Sequence, residues 1–288
     1  MYAMITYNQQ RLRRGFWRGM AALCLAATLA TPAQSQDADT LDAMRQALRI
    51  EIPTSNALEA LTATNTSIIP GSTISTPTGF GIGWGRFYGG VGYQDRVRYD
   101  DWRDGIFVLG MGLGDPFRYV GLELTLSILD TYDDFLEDKA LSVKLHRRLP
   151  ASTSVAIGWE NIWHTDGTDG GSSAYAVASK FFVFRDNPDA PFGSAIVSIG
   201  IGNDRFLPEK QFMRRADGVN GFGSVGLRLA RPVNAVANWT GQDLNVGLSI
   251  VPIRSMALAI TPSFLDVTGR AGDGARFAVA VGLVTTLF

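Results

Sequence analysis

The chain contains a single cysteine, Cys24, and without a second thiol it can form neither an internal disulfide nor a cysteine-built metal site. It lacks any run of 18 or more consecutive apolar residues, although 46% of its 288 residues are hydrophobic, and this excludes an ordinary membrane-spanning helix. Histidine is scarce, with only His146 and His164. Charge is scarce too, at 18% of residues, and mean hydropathy is +0.07. What the chain has instead is glycine, 32 residues of it, and a persistent two-residue rhythm.

The rhythm is clearest between Tyr119 and Arg148. Val120, Leu122, Leu124, Leu126 and Ile128 are bulky and apolar, while Gly121, Glu123, Thr125 and Ser127 between them are small or polar. After an acidic break from Asp130 to Asp138 the alternation resumes. Leu141, Val143 and Leu145 fall on one face, and Ala140, Ser142, Lys144 and His146 on the other. A period of two means strands, because successive side chains point to opposite faces. A soluble sheet turns long charged residues toward water. Bulky apolar rows backed by rows of small and polar residues are the pattern of a membrane-spanning β-barrel.

The N-terminus has a different layout. Arg11, Arg13, Arg14 and Arg18 precede a short apolar run from Met20 to Ala30, followed by Ala33-Gln34-Ser35. This order predicts a secretory signal peptide over 1–35, cut after Ser35. Cys24 leaves with it, since Leu23 is the wrong residue to precede a lipoprotein cysteine. Four of the 26 basic residues leave too and none of the 27 acidic ones, so the formal charge moves from −1 to about −5. No nucleic-acid partner is expected of such a chain. Residues 36–78 are read as a periplasmic segment. It has a short helix around Leu41, Met44 and Leu48, then a Thr/Ser-rich extended linker from Leu61 to Thr78 interrupted by Pro70 and Gly71. The helix is expected as a loosely ordered tail, with plugging a pore or docking on a periplasmic partner as alternatives.

From residue 79 onward the expectation is an all-β fold, a single antiparallel up-and-down transmembrane barrel of about twelve strands. Alternating runs recur roughly every 17 residues, at 86–94, 105–113, 119–129, 139–147, 153–163, 174–184, 194–203, 219–229, 232–239, 243–251, 255–265 and 275–288. Apolar rows such as Phe107/Leu109/Met111/Leu113 and Val197/Ile199/Ile201 hold no charge. One Lys or Arg at a bilayer midplane costs about 2–4 kcal/mol, so that absence is informative. From a periplasmic N-terminus the outer links are mostly long and polar, and the inner ones mostly short. Two depart from this: 185–193 is long for a turn, and 240–242 is short for a loop. Pro262 inside the eleventh run predicts a bulge, because a closed barrel has no free edge for a proline. Aromatics gather near strand ends, with Phe117 and Tyr119 at one side and Tyr93, Tyr132, Trp163 and Trp239 at the other.

The chain stops on Phe288 within its last run, and there it resembles outer-membrane barrels in general, whose final strand ends in an aromatic. The resemblance implies recognition of that strand by the outer-membrane assembly machinery. Thr286 stands where a second aromatic is common. Trp239-Thr-Gly-Gln-Asp-Leu-Asn245 and Leu145-His-Arg-Arg-Leu149 are similar to segments of uncharacterised porin-like barrel proteins, over residues 76–288. That likeness implies a fold and an outer-membrane address in a Gram-negative-type cell, but no activity.

Twelve strands about 4.8 Å apart and tilted about 40° enclose a wall ~24 Å across, whose lumen admits small molecules at most. Glu123, Lys144, His146, Glu160, Lys180, Arg228 and Arg276 are expected to line it, joined by Asn220, Asn234, Asn238 and Asn245. Opposed charges of this kind make a transverse field that passes small polar solutes, or else they pair and fill the interior. Gly110, Gly112, Ala156, Gly158, Gly200 and Gly202 on the inner rows are expected to leave space. The functional expectation is therefore a porin-like channel for small polar solutes, embedded in the lipid bilayer and touching lipopolysaccharide. The alternative is a structural barrel whose loops bind a surface partner or glycan. No cofactor or metal is expected, because the acidic clusters (Asp130 to Asp138, Asp166 and Asp169) lack calcium-loop spacing. Catalysis is not expected either. Neither histidine lies in a His-x-Ser pair, and His164 beside Asp166 and Asp169 is the nearest approach to a barrel protease.

Overall fold

A computed structural model of the chain describes residues 70–98, 101, 103–128, 138–165, 172–253, 256–271 and 274–286. The alternating runs form twelve strands: β1 (Arg86–Gln94), β2 (Asp104–Gly114), β3 (Gly121–Ile128), β4 (Lys139–Leu149), β5 (Thr153–His164), β6 (Ser173–Val183), β7 (Ser194–Gly202), β8 (Asn220–Ala230), β9 (Val233–Trp239), β10 (Leu244–Ile250), β11 (Ala257–Leu265) and β12 (Arg276–Thr286). Each boundary lies within two residues of its sequence expectation. Every strand pairs antiparallel with its chain neighbours, and β1 pairs with β12 from Arg86↔Thr286 to Gln94↔Ala278, closing the barrel. Closure leaves no unpaired sheet edge.

Register sets the two faces. Leu109, Leu126 and Leu141 form one cross-strand row, and Leu122, Leu145 and Ile157 another, both pointing outward. These rows are open: Leu109 is 48% exposed and Ile199 on β7 is 68% exposed. The inward rows carry the buried polar residues, among them Ser127, Ser154, Ser179, Ser198, Asn234, Asn238 and Ser249. Exposed leucine and buried serine invert the usual distribution of a soluble domain. No helix among the described residues is long and apolar enough to cross a membrane.

The barrel has a turn end, with the connections 115–120, 150–152, 184–193, 231–232 and 251–256, and a loop end carrying the rest. The long 184–193 turn folds back on its neighbour, where Phe192 N donates to Arg228 O at 2.8 Å and Asp189 pairs with Arg231 at 3.0 Å. Pro262 departs from its sequence expectation. The β10–β11 register is the same on both sides of it (Val246↔Phe264, Ile250↔Ile260), so the strand carries no bulge there. Instead the ladder skips Leu248 and Ser249, as a residue without an N–H requires. A real bulge occurs in β5, where 160–162 stand opposite Ser142. The signal segment, the 41–48 helix, Tyr132, the 130–137 acidic stretch, Asp166, Asp169 and Phe288 lie outside the described residues.

The inner glycines are occupied ground. A Cβ on Gly110 would meet the Tyr88 ring, on Gly158 the Tyr175 ring, and on Gly200 the Phe222 ring. On Gly112 it would come within 2.6 Å of Ile82 O. The expected space is therefore filled, because each missing side chain receives a ring or a backbone from elsewhere. We expect Gly110→Val to lower unfolding stability by about 1–3 kcal/mol through overpacking against Tyr88. Gly221→Ala, whose nearest neighbour at that position is Gly200 O at 3.9 Å, should change it by less than about 0.5 kcal/mol. Denaturant titration in detergent measures both, and a Gly110→Val barrel as stable as wild type would contradict the packing.

Candidate functional site: the occupied lumen

Residues 70–83 run through the interior of the barrel. Their sequence, Pro-Gly-Ser-Thr-Ile-Ser-Thr-Pro-Thr-Gly-Phe-Gly-Ile-Gly, has two prolines and four glycines and forms no helix or strand. Its backbone groups therefore need partners from the wall. It begins at the turn end, where Asn234 Nδ2 donates to Pro70 O at 2.8 Å and Gly71 N donates to Ser249 Oγ at 2.7 Å. It climbs to Ser75, whose N–H and hydroxyl both donate to Asn238 Oδ1 at 3.1 and 2.9 Å. Asn245 Nδ2 donates to Ser75 Oγ at 3.0 Å, and Asn238 Nδ2 to Thr76 Oγ1 at 2.8 Å. Asn238 and Asn245 flank the 240–243 loop, so this apex lies near the loop end.

The segment then descends along the opposite wall. Gly79 N donates to Ser179 Oγ at 2.8 Å, and Ser154 Oγ donates to Gly79 O at 2.6 Å. Lys144 Nζ donates to Phe80 O at 3.0 Å, Ile82 N to Glu123 Oε2 at 3.2 Å, and His146 Nε2 to Ile82 O at 3.1 Å. At the turn end again, Trp84 N donates to Gly114 O at 2.9 Å and the chain enters β1. The path is a loop with both feet at one end. Gly79 and Gly81 permit its close approach to the wall, since a Cβ on Gly79 would run into Ser154 O and one on Gly81 would sit 2.6 Å from His146 Nε2.

Charges fix the lumen at three levels. Glu123 and Lys144 are cross-strand partners joined at 3.0 Å, and Tyr88 hydroxyl contacts both Glu123 and Thr125. Toward the loop end Arg205 grips Glu160 with two nitrogens, Nη2 to Oε1 at 2.8 Å, and also donates to Ser75 O. Arg98 and Arg276 share buried Asp243 there, at 2.7 and 3.8 Å. At the turn end Arg228 faces Asp189 at 3.7 Å and donates to Arg231 O at 2.9 Å. A buried cation without such a partner would be costly.

One side of the lumen is apolar. The connection from β7 to β8 folds inward through a 3₁₀ turn (Asp204–Phe206) and a short helix, α1 (Glu209–Met213). Phe206 and Leu207 are fully buried. Phe206 stacks on Phe222 at 4.4 Å, and Tyr175 meets both edge-on at 6.3 Å, with Val177 and Ala156 completing the cluster.

Of the seven ionisable residues expected in the lumen, Glu123, Lys144 and His146 converge on residues 80–82, while Glu160 and Arg276 face inward toward the loop end and Arg228 at the turn end. Lys180 is placed on the outer face, a correction to its expected position. On β6 it is Tyr175, Val177 and Ser179 that are buried, and Ser179 Oγ receives Gly79 N, so the next residue points away. The reason is the apolar cluster: here bulky residues belong inside, and the rule that bulk points outward fails. Among the asparagines, Asn234, Asn238 and Asn245 hold the segment, whereas Asn220 braces the loop end by donating to Phe206 O and Gly241 O. Sequence reasoning missed Ser154, Ser179, Ser249 and Arg205 as segment contacts. A signal existed for the serines, which recur at inward positions of adjacent strands.

No protein-family model matches the chain, and no curated protein matches it either.

Asp204, in the inward-folded loop, has its carboxyl pKa raised, first by burial and then by the nearby Asp217. An acid raised in the folded state ionises more readily when the loop is released, so docking weakens as pH rises through the folded value. We expect hydrogen-exchange protection factors over 203–219 to rise as pH falls toward the carboxylate range. Asp204→Asn should give the high protection already at neutral pH, since asparagine tolerates the left-handed φ of 48°. Protection independent of pH in wild type would contradict the assignment.

Proposed function

We propose that the protein is an outer-membrane β-barrel that passes small polar solutes and rests closed, with residues 70–83 as its own plug. The membrane address draws on the exposed apolar outer rows, the buried polar inner rows, and the division into turn and loop ends. The observation that carries the closed-channel reading is how the segment is held. Its contacts with the β8–β10 wall are hydrogen bonds with asparagine and serine side chains, and both feet stand at the turn end. Withdrawal toward that end breaks no wall strand, and water replaces each bond given up. Glu123 and Lys144 would then face the vacated path, presenting both signs of charge to a polar solute. In this reading the loop rim meets lipopolysaccharide, the last strand is the feature recognised by the outer-membrane assembly machinery, and no catalytic step is assigned.

A second reading is a permanently closed structural barrel whose surface loops bind a partner or glycan. Phe206 and Leu207 favour it, because apolar side chains buried in a lumen do not exchange for water at low cost.

Planar-bilayer recording separates the two. Wild type should show rare, short openings. Asn238→Ala/Asn245→Ala, which removes three hydrogen bonds to Ser75 and one to Thr76, should raise open probability at least about tenfold. Gly71→Cys/Ser249→Cys should lock the plug when oxidised, because the two Cβ positions lie 3.6 Å apart, within disulfide range, and reductant should release it. Folded protein that is silent in all of these forms would remove the channel and leave the structural reading.

A further inference from the structure

Within the described strands, the outward rows carry only three charged side chains. Lys139 begins β4 at the loop end. Arg147 and Lys180 stand near one another at the turn end. Their outward direction follows from register: Arg147, Val155 and Ala178 form one cross-strand row, and Thr153 and Lys180 the next row toward the turns. Both residues are exposed, and His146 and Arg148 on either side of Arg147 point inward. The two cations are separated by one strand, β5, so their strands lie about 10 Å apart. Side chains of that length both reach a single group placed over Thr153 and Val155.

Neither cation takes part in an ion pair among the described residues. The turn-end acids beside them are engaged elsewhere or turned to solvent. Asp115 accepts from the N–H groups of its own turn, Asp189 pairs with Arg228 and Arg231, and Asp186 is exposed in the 184–193 turn. Lys180 Nζ lies 5.3 Å from the centre of the Phe182 ring, on the same outer row. A wall with apolar rows on one side of the pair and aromatic residues toward the turns has the profile of a headgroup boundary.

We propose that Arg147 and Lys180 form a binding site for the phosphate of an anionic glycerophospholipid in the leaflet at the turn end. The site rests on the membrane-embedded reading given above. Arg147 offers a planar fork that takes two phosphate oxygens, Lys180 adds a compact second charge, and the acyl chains lie along Val155, Ile157, Val197 and Ile199. A lipid of net negative charge satisfies both cations. A zwitterionic one brings its own ammonium group to compete with them.

The test is native mass spectrometry of the full-length barrel in neutral detergent, titrated with phosphatidylglycerol or with phosphatidylcholine of the same acyl chains. Wild type should bind phosphatidylglycerol about tenfold more tightly. Arg147→Gln/Lys180→Gln should bring the two lipids to parity, while Lys139→Gln, outward but at the other end, keeps the preference. The wild-type preference should also shrink with added salt, a readout that needs no variant to fold. Equal binding of the two lipids by wild type, a preference untouched by the double substitution, or one indifferent to salt would each overturn the site. Failure of the membrane reading looks different: the barrel would then gain no protease protection in vesicles of either lipid.

Discussion

A closed ladder of twelve strands satisfies its own backbone but leaves an interior wider than its small inner side chains can fill. That mismatch governs the rest of the molecule. Buried hydroxyls and amides on the inner rows need partners, and leaving one unmatched costs about 1–3 kcal/mol. Water would serve, but so does a stretch of backbone with free N–H and C=O groups. Residues 70–83 are suited to it: prolines and glycines keep them out of regular structure, and the peptide groups of Pro70, Gly71, Gly79, Phe80 and Ile82 find a wall serine, asparagine, lysine, histidine or carboxylate.

The two sides of the lumen respond to that constraint differently. On the β8–β10 side and along β3–β4 the filling is polar, and because water is the competitor each neutral bond nets only about 0.5–1.5 kcal/mol and each of those to Lys144 and Glu123 about 1.5–3 kcal/mol. On the β5–β8 side it is aromatic, and burying rings such as Phe206 and Phe222 gains roughly 25 cal/mol for each Å² removed from water. A force on the segment therefore meets a series of small, replaceable contacts. A force on the inward-folded loop meets a packed core. In the closed-channel reading, this asymmetry would make residues 70–83 the part that moves and Phe206 the part that stays.

The strands were legible in the sequence because period two is a direct consequence of backbone geometry, and nearly every run keeps it. Lys144 and Glu123 could be placed inward from Leu122, Leu124, Val143 and Leu145 alone. Lys180 could not. Its strand has alanine at 174, 176 and 178 and larger residues at 175 and 177, so parity judged by bulk gives the wrong face; only Phe206, arriving from a loop more than twenty residues away, reverses it. The same limit hid the segment inside the barrel. Residues 70–83 carry no periodicity of their own, and their structure is dictated by Asn234, Asn238 and Ser249, more than 160 positions along the chain. Pro262 shows a smaller version of the problem, since a ladder can omit two residue pairs without shifting register.

Turning Lys180 outward also makes the outer wall more coherent. On β4 the outward residues between Lys139 and Arg147 are Leu141, Val143 and Leu145. Eight residues at about 3.4 Å rise make ~27 Å along the strand, and a tilt of about 40° reduces that to ~21 Å of height. An apolar band about 25 Å tall is the dimension of an outer-membrane barrel, and a long basic side chain at each margin spans the difference by reaching for water. Lys180, one cross-strand row beyond Arg147, falls at the same margin. A charge that looked like part of a pore lining is better explained as a marker of where the apolar wall stops, whereas Glu123, Lys144, Glu160, Arg228 and Arg276, which do enter the lumen, each have an opposite partner there.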